Sequence, residues 1–133
     1  MTNIDIARRY LDLLNDPAST AEQLDAFLAP DVVFEELPNL LVPTGRKRPR
    51  QAMLEGFAAS KTLLAEQQYT IENALENDDR VVMEVRWRGV LARGMGKLAA
   101  GAELRARFAM FLELQGGRIV SQRNYDCYEP FPV

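Results

Sequence analysis

"GGRIVSQRNYDCYEPF", residues 116–131, opens on paired glycines and then alternates two kinds of side chain. Gly116-Gly117 suits a tight hairpin turn, and the period-two pattern after it marks a strand. An ordinary half-buried strand would set Val and Ile against polar residues. Here Arg123, Asn124, Tyr125, Asp126 and Tyr128 occupy those places. A polar row that faces a closed interior is costly unless its groups pair or bind something.

The strand before the turn, "ELRARFAMFLEL" (103–114), carries Leu104, Ala106, Phe108, Met110 and Leu112 on one face. Arg105, Arg107, Ala109, Phe111 and Glu113 lie on the other. Two assignments fit this alternation: the apolar face meets a second subunit while the mixed face lines a cavity, or the apolar face is the core. Further upstream, "QQYTIENALE" (67–76) and "RVVMEVRWRGVLA" (80–92) flank Asn77-Asp78-Asp79, a good hairpin turn. Met83, Val85 and Trp87 share one face there, opposite Glu84, Arg86 and Arg88.

The first half is helical. Ile4, Ala7, Leu11 and Leu14 recur at helical spacing over residues 3–15. "STAEQLDAFLAP" (19–30) pairs Ser19 with Glu22 as a capping box and predicts a second helix ending at Pro30. "DVVFEEL" (31–37) reads as a short strand and "PNLLVPTG" (38–45) as a loop. Met53, Phe57 and Leu64 place a third helix from about Pro49 to Glu66. Three helices with one early strand, followed by an antiparallel meander, define an α+β domain spanning residues 1–133. The helices cover one face of a sheet that must curve around them, and the outer face is the expected site of homodimer contact.

Composition narrows the chemistry. The chain has no histidine, so Ser-His and Cys-His nucleophiles are excluded, and its single cysteine, Cys127, cannot form an internal disulfide. Without histidine a zinc site would be nearly all carboxylate, and neither GxGxxG nor GxxxxGK[ST] occurs. A net charge of −3 opposes nucleic-acid binding, and no apolar run approaches the roughly 20 residues of a membrane span. The N-terminal stretch is too charged for a secretory signal, so the expected location is cytoplasmic. Acid–base work therefore falls to Asp, Glu, Tyr, Lys or Arg with pKa values shifted by a pocket. "GRKRPR" (45–50), the one charge run, reads as a solvated approach to the third helix that also invites an anion.

Three stretches carry a family resemblance: "ARRYLDLLND" with its helical tyrosine, "DVVFEELP" with an acidic strand end, and "GGRIVSQRNYDCYEP" as a closing strand. Together with Trp87 before Arg88-Gly89, they make the chain resemble the SnoaL-like branch of the nuclear-transport-factor-2-like superfamily. That branch has a cone-shaped α+β fold and is related to polyketide cyclases, ketosteroid isomerases and limonene epoxide hydrolases. The resemblance implies a cofactor-free, metal-free pocket for a small apolar or carbonyl-bearing ligand.

Residue by residue, it sets Tyr10 where the isomerases keep an oxyanion tyrosine and Glu36 where they keep the proton-shuttling carboxylate. Ala109 stands where those enzymes have a second oxyanion donor, and Asn124 where the epoxide hydrolases have an aspartate. Polyketide cyclases use one pocket carboxylate, a role open to Asp126 or Glu36, with Tyr10 or Asn124 stabilising the enolate. The implied pocket wall comprises Phe34, Phe57, Val85, Trp87, Arg107, Phe111, Gln122 and Tyr128. A non-catalytic binding or association module of the same fold, and a hydrolase, are the alternative readings. Asp126 could equally be a structural partner of Arg105 or Arg107.

Overall fold

The computed structural model describes residues 1–132. Helix α1, Asn3–Asn15, starts where the Thr2 hydroxyl accepts the Asp5 N–H and the Asp5 carboxylate accepts the Thr2 N–H. Helix α2, Ala21–Asp25, is capped in the same way by Thr20 and Gln23, one residue later than the expected Ser19 and Glu22. Ser19 instead donates its hydroxyl to the Asp16 carbonyl. This helix also stops short of Pro30, because strand β1, Leu28–Glu36, begins there. Leu28 pairs with Ile119, whose N–H donates to the Phe27 carbonyl. A tertiary ladder thus overrides a helical pattern in a short segment.

The charge run, read from the sequence as a solvated approach to the third helix, folds as strand β2, Arg46–Pro49, antiparallel to β1. Helix α3, Arg50–Leu63, passes directly into β3, Leu64–Asn77. Strands β4, Arg80–Leu91, β5, Glu103–Gln115, and β6, Arg118–Tyr128, follow. The six strands order as β2-β1-β6-β5-β4-β3 in one unclosed, curved sheet. Only the β1–β6 pair is parallel, so the chain's last strand lies inside the sheet rather than at its edge.

Helix α1 packs on β3 and β4 while α3 packs on β1. The core between layers holds Ala7, Leu11, Met83, Val85, Met110 and Leu112, among other side chains. The apolar face of β5 is therefore the chain's own interior, and that face gives no ground for a second subunit. Its mixed face, with Arg107 and Phe111, lies on the outside, which corrects the expectation that both line the cavity.

The cause of that difference is a bulge in the β5–β6 hairpin. The turn at Gly116-Gly117, both with positive φ, pairs Gln115 with Arg118 and Leu114 with Ile119. Continued without interruption, that register would set Phe111 against Gln122 and Arg107 against Asp126. The register instead slips by one residue, so Glu113 meets Ser121 and every later pair shifts. Phe108 then lies opposite Asp126 and Met110 opposite Asn124, while Phe111 meets Arg123 on the outer face.

Leu112 is 1% exposed, so Leu112→Ala should cost about 2–5 kcal/mol. Urea unfolding should show that loss at every protein concentration, since the side chain packs within its own chain.

Candidate functional site

The inner face of β6 carries Gln122, Asn124, Asp126 and Tyr128 in register, flanked by Glu36 of β1 and by Phe108 and Ala106 of β5. Trp87 of β4 and Tyr69 of β3 extend the same row. Together with residues of α3 and the loops after β1 and β4, part of this row lines an open-mouthed cavity of about 240 Å³. Glu36, Phe34, Trp87, Asn124, Asp126 and Tyr128 line it, together with Tyr69, Phe108, Arg46 and Arg48.

Other expected wall residues lie elsewhere. Phe57, Val85 and Gln122 are buried but do not reach the cavity surface. Arg107 sits on the outer face, 3.6 Å from Glu72, and Phe111 packs edge-on against Tyr125 beneath the Arg123 guanidinium. Asp126 therefore pairs with neither Arg107 nor Arg105, whose partner is Glu103.

Tyr10 is also displaced from its expected role. Its hydroxyl lies in the core and donates to Gln122 Oε1 at 2.7 Å. Burial drives its pKa upward. Gln122 Nε2 in turn donates to Asn124 Oδ1 at 3.0 Å. With its oxygen thus occupied, Asn124 turns its amide N–H groups toward the Asp126 end of the row. Tyr10 therefore orients the row from behind and is not itself an oxyanion donor in the cavity.

The two carboxylates differ sharply. Glu36 Oε1 lies 3.1 Å from Arg46 Nε and 3.0 Å from Arg48 Nη2, so two guanidinium groups hold the side chain in place. Asp126 has no cation. Its Oδ1 is shielded from solvent and is the one such side-chain atom without a hydrogen-bond partner among the described residues. Burial, and then the nearby Glu36 charge, push its pKa up to about 7, with the Asn124 amide pulling back. Tyr69 and Tyr128 shift upward as well, chiefly through burial and then through the negative charge of Asp126. The arrangement is a single poised carboxylate in a mainly apolar cavity, with amide and phenol donors beside it.

Two glycines shape the wall. A Cβ on Gly89 would come within 2.5 Å of the Trp87 indole, so Gly89 is what lets that ring lie along the strand, where its Nε1 donates to Gln67. A Cβ on Gly56, inside α3, would stand 2.1 Å from Arg48 Nη1. The glycine leaves room for the guanidinium that clamps Glu36. Among the described residues no cluster of His, Cys, Asp and Glu could hold a metal ion, and no helix is long and apolar enough to cross a membrane.

Sequence reasoning missed Tyr69, Phe108, Arg46 and Arg48. The arginines stood in plain view within "GRKRPR". What could have recruited them was the β-branched and aromatic "DVVFEE", a strand in need of an antiparallel partner.

A six-stranded curved sheet with helices on its inner face and a polar closing strand is the nuclear-transport-factor-2-like arrangement. The SnoaL-like domain model matches residues 7–122, and the chain belongs to that family. No curated protein matches the sequence.

Solved structures resemble it across nearly its whole length. IdmH of Streptomyces antibioticus, a proposed polyketide cyclase, has a TM-score of 0.78 at 20% identity, over 95% of this chain and 92% of its own. A SnoaL-like polyketide cyclase of Agrobacterium tumefaciens scores 0.70 at 16% identity, over 95% and 91%. A hypothetical protein of Catenulispora acidiphila with a ketosteroid isomerase-like fold scores 0.72 at 17%, over 90% and 83%. At these identities the likeness is one of fold.

Two outcomes follow from the geometry. Folding raises the Asp126 pKa above its ordinary value of 3.8 to about 7. The folded protein therefore holds a proton that the unfolded chain releases, and stability falls as pH climbs between those values. Asp126→Asn should remove the penalty, adding roughly 4 kcal/mol near pH 8 and almost nothing near pH 4, as read from urea midpoints. Gly56→Ala should not give the gain of about 1 kcal/mol usual for a helix interior. That gain should reappear when Arg48→Ala is already present, in a double-mutant cycle.

Proposed function

We propose that this protein is a cofactor-independent enzyme that abstracts a proton next to a carbonyl, in order to close or rearrange a ring in a small polyketide-like ketone. The observation that supports this reading is the Asp126 carboxylate: half-buried with one oxygen shielded and unpartnered, without a cation among the described residues, and poised near neutrality beside oriented donors. Asp126 in its ionised form takes the proton, and the C–H electron pair moves into the carbonyl to form an enolate. The enolate oxygen accepts hydrogen bonds from the Asn124 amide, held by Gln122 and Tyr10, and from the Tyr128 hydroxyl.

From the enolate two outcomes share the same machinery. In an aldol closure its carbon attacks a second carbonyl of the same molecule, forming a C–C bond, and the new alkoxide takes the proton back from Asp126. In an isomerisation the proton returns to a different carbon. Either way the proton count is unchanged and no oxidant is needed. Glu36 is not the base in this scheme. Engaged by Arg46 and Arg48, it acts on Asp126 as a fixed negative neighbour that keeps the base from becoming too weak. The polyketide cyclases among its structural neighbours agree with this choice of substrate class.

The test does not require the natural substrate. Exchange of the protons next to the carbonyl of β-tetralone into deuterated water, followed by NMR, should run faster with protein than without. Its rate should rise with pH through an inflection near 7. Asp126→Asn should lose about a hundredfold or more of that acceleration, and Glu36→Gln much less. A protein that binds the ketone without accelerating exchange would be a binding module of this fold and not an enzyme.

A further inference from the structure

The cavity does not end at its mouth. Arg46, Arg48, Ser60 and Leu63 belong both to its wall and to an open groove of about 630 Å³ along α3. The floor of that groove is apolar and small, formed by Ala52, Gly56 and Ala59, and Arg93 from the segment after β4 closes its far side. The cavity and groove together run from Asp126 inside to three arginines outside.

We propose that this mouth binds a carboxylate carried by the same ligand whose ketone reaches Asp126, so that the substrate is a keto acid held tail-outward. The inference rests on the enzymatic reading of the cavity and adds the substrate's second functional group. Three features support it. At the rim Arg46, Arg48 and Arg93 face Glu36 and Glu55, which leaves the rim one positive charge in excess, while Asp126, the third acid, lies at the inner end of the cavity; the net charge of the chain is −3. Arg93 is exposed and makes no ion pair among the described residues. Arg46 spends its Nε on Glu36 and is 47% exposed, leaving its terminal N–H groups free to fork onto a carboxylate.

The site is built rather than incidental. A mid-helix glycine is tolerated at Gly56, where Arg48 Nη1 occupies the space a methyl group would fill. Glu36 then pins both guanidinium groups at the rim through one shared oxygen, fixing the place of the charge without cancelling it. Orientation follows from the same charges. A carboxylate directed inward would meet Glu36 and Asp126, whereas one left at the rim meets arginines, and a monoanion matches the single uncompensated charge.

The experiment compares matched ligands. Oxocyclohexane carboxylate and a tetralone carboxylate are each titrated against the corresponding methyl ester, with binding read from the fluorescence of Trp87, the single tryptophan and a wall residue of the cavity. The acids should bind about tenfold more tightly than the esters at low salt, and the preference should shrink as salt is added. In the Arg46→Gln, Arg93→Gln double variant the acids should fall to the level of the esters measured on that same variant. That variant leaves Arg48 on Glu36, and its melting temperature checks the fold.

Esters that bind as well as acids in the parent would overturn the proposal while leaving the ketone cavity intact. So would an acid preference that survives the double variant. If neither member of either pair perturbs Trp87, the cavity reading itself fails and this inference fails with it.

Discussion

Strand β6 is hydrogen-bonded on both sides and turns a row of polar side chains toward the helices, where water is largely excluded. That placement imposes a strict condition: each buried polar atom in the row must find a partner from the protein itself. Tyr10 supplies the first donor from α1, Gln122 passes the polarity on, and Asn124 takes it up. The sequence of donors and acceptors is thereby fixed in direction along the strand. At Asp126 the row runs out of partners, and the unsatisfied oxygen lies at the cavity. The reactive position is thus the terminus of a structural network, and its raised pKa follows from the same burial that stabilises everything behind it.

The second carboxylate shows how one environment can be divided. Glu36 and Asp126 line the same cavity, yet two arginines from the adjacent strand β2 serve Glu36 and none serves Asp126. The pairing holds the Glu36 side chain in place, and its charge reaches Asp126 through a medium of low polarity. Strand β2 is only four residues long, so its contribution to the fold's stability is small. Its contribution to the electrostatics of the site is large.

Much of this fold was legible in the sequence because alternation and helical periodicity are strong signals over long segments. The helix at residues 3–15, the hairpins and the polar face of the last strand all follow from them. What alternation lacks is a sign: it shows that a strand has two faces without saying which is inside. For β6 the inward row came from the register of the family it resembles and not from alternation. For β5 both faces carried apolar residues, and the answer depended on a one-residue slip that no turn motif announces. Arg107 and Phe111 were therefore set on the wrong side of the sheet. Glu36 was read as a possible base from its place in the family resemblance; its partners Arg46 and Arg48 were not legible, because they lie in a charge run that reads as a solvated approach to the third helix. The short second helix failed for a related reason: its apolar pattern continued past Asp25 into residues that serve β1 equally well.

The bulge in the last hairpin also bears on how such a chain can drift over time. Residues 114–121 set which side of the sheet each later side chain of β6 occupies. Replacing one letter there alters a contact. Losing or gaining one letter would rotate Asn124, Asp126 and Tyr128 out of the interior together and bring Arg123 and Tyr125 in. Descendants of this chain can therefore vary the outward residues of the strand, while the spacing between the paired glycines and the acid is held by the fold.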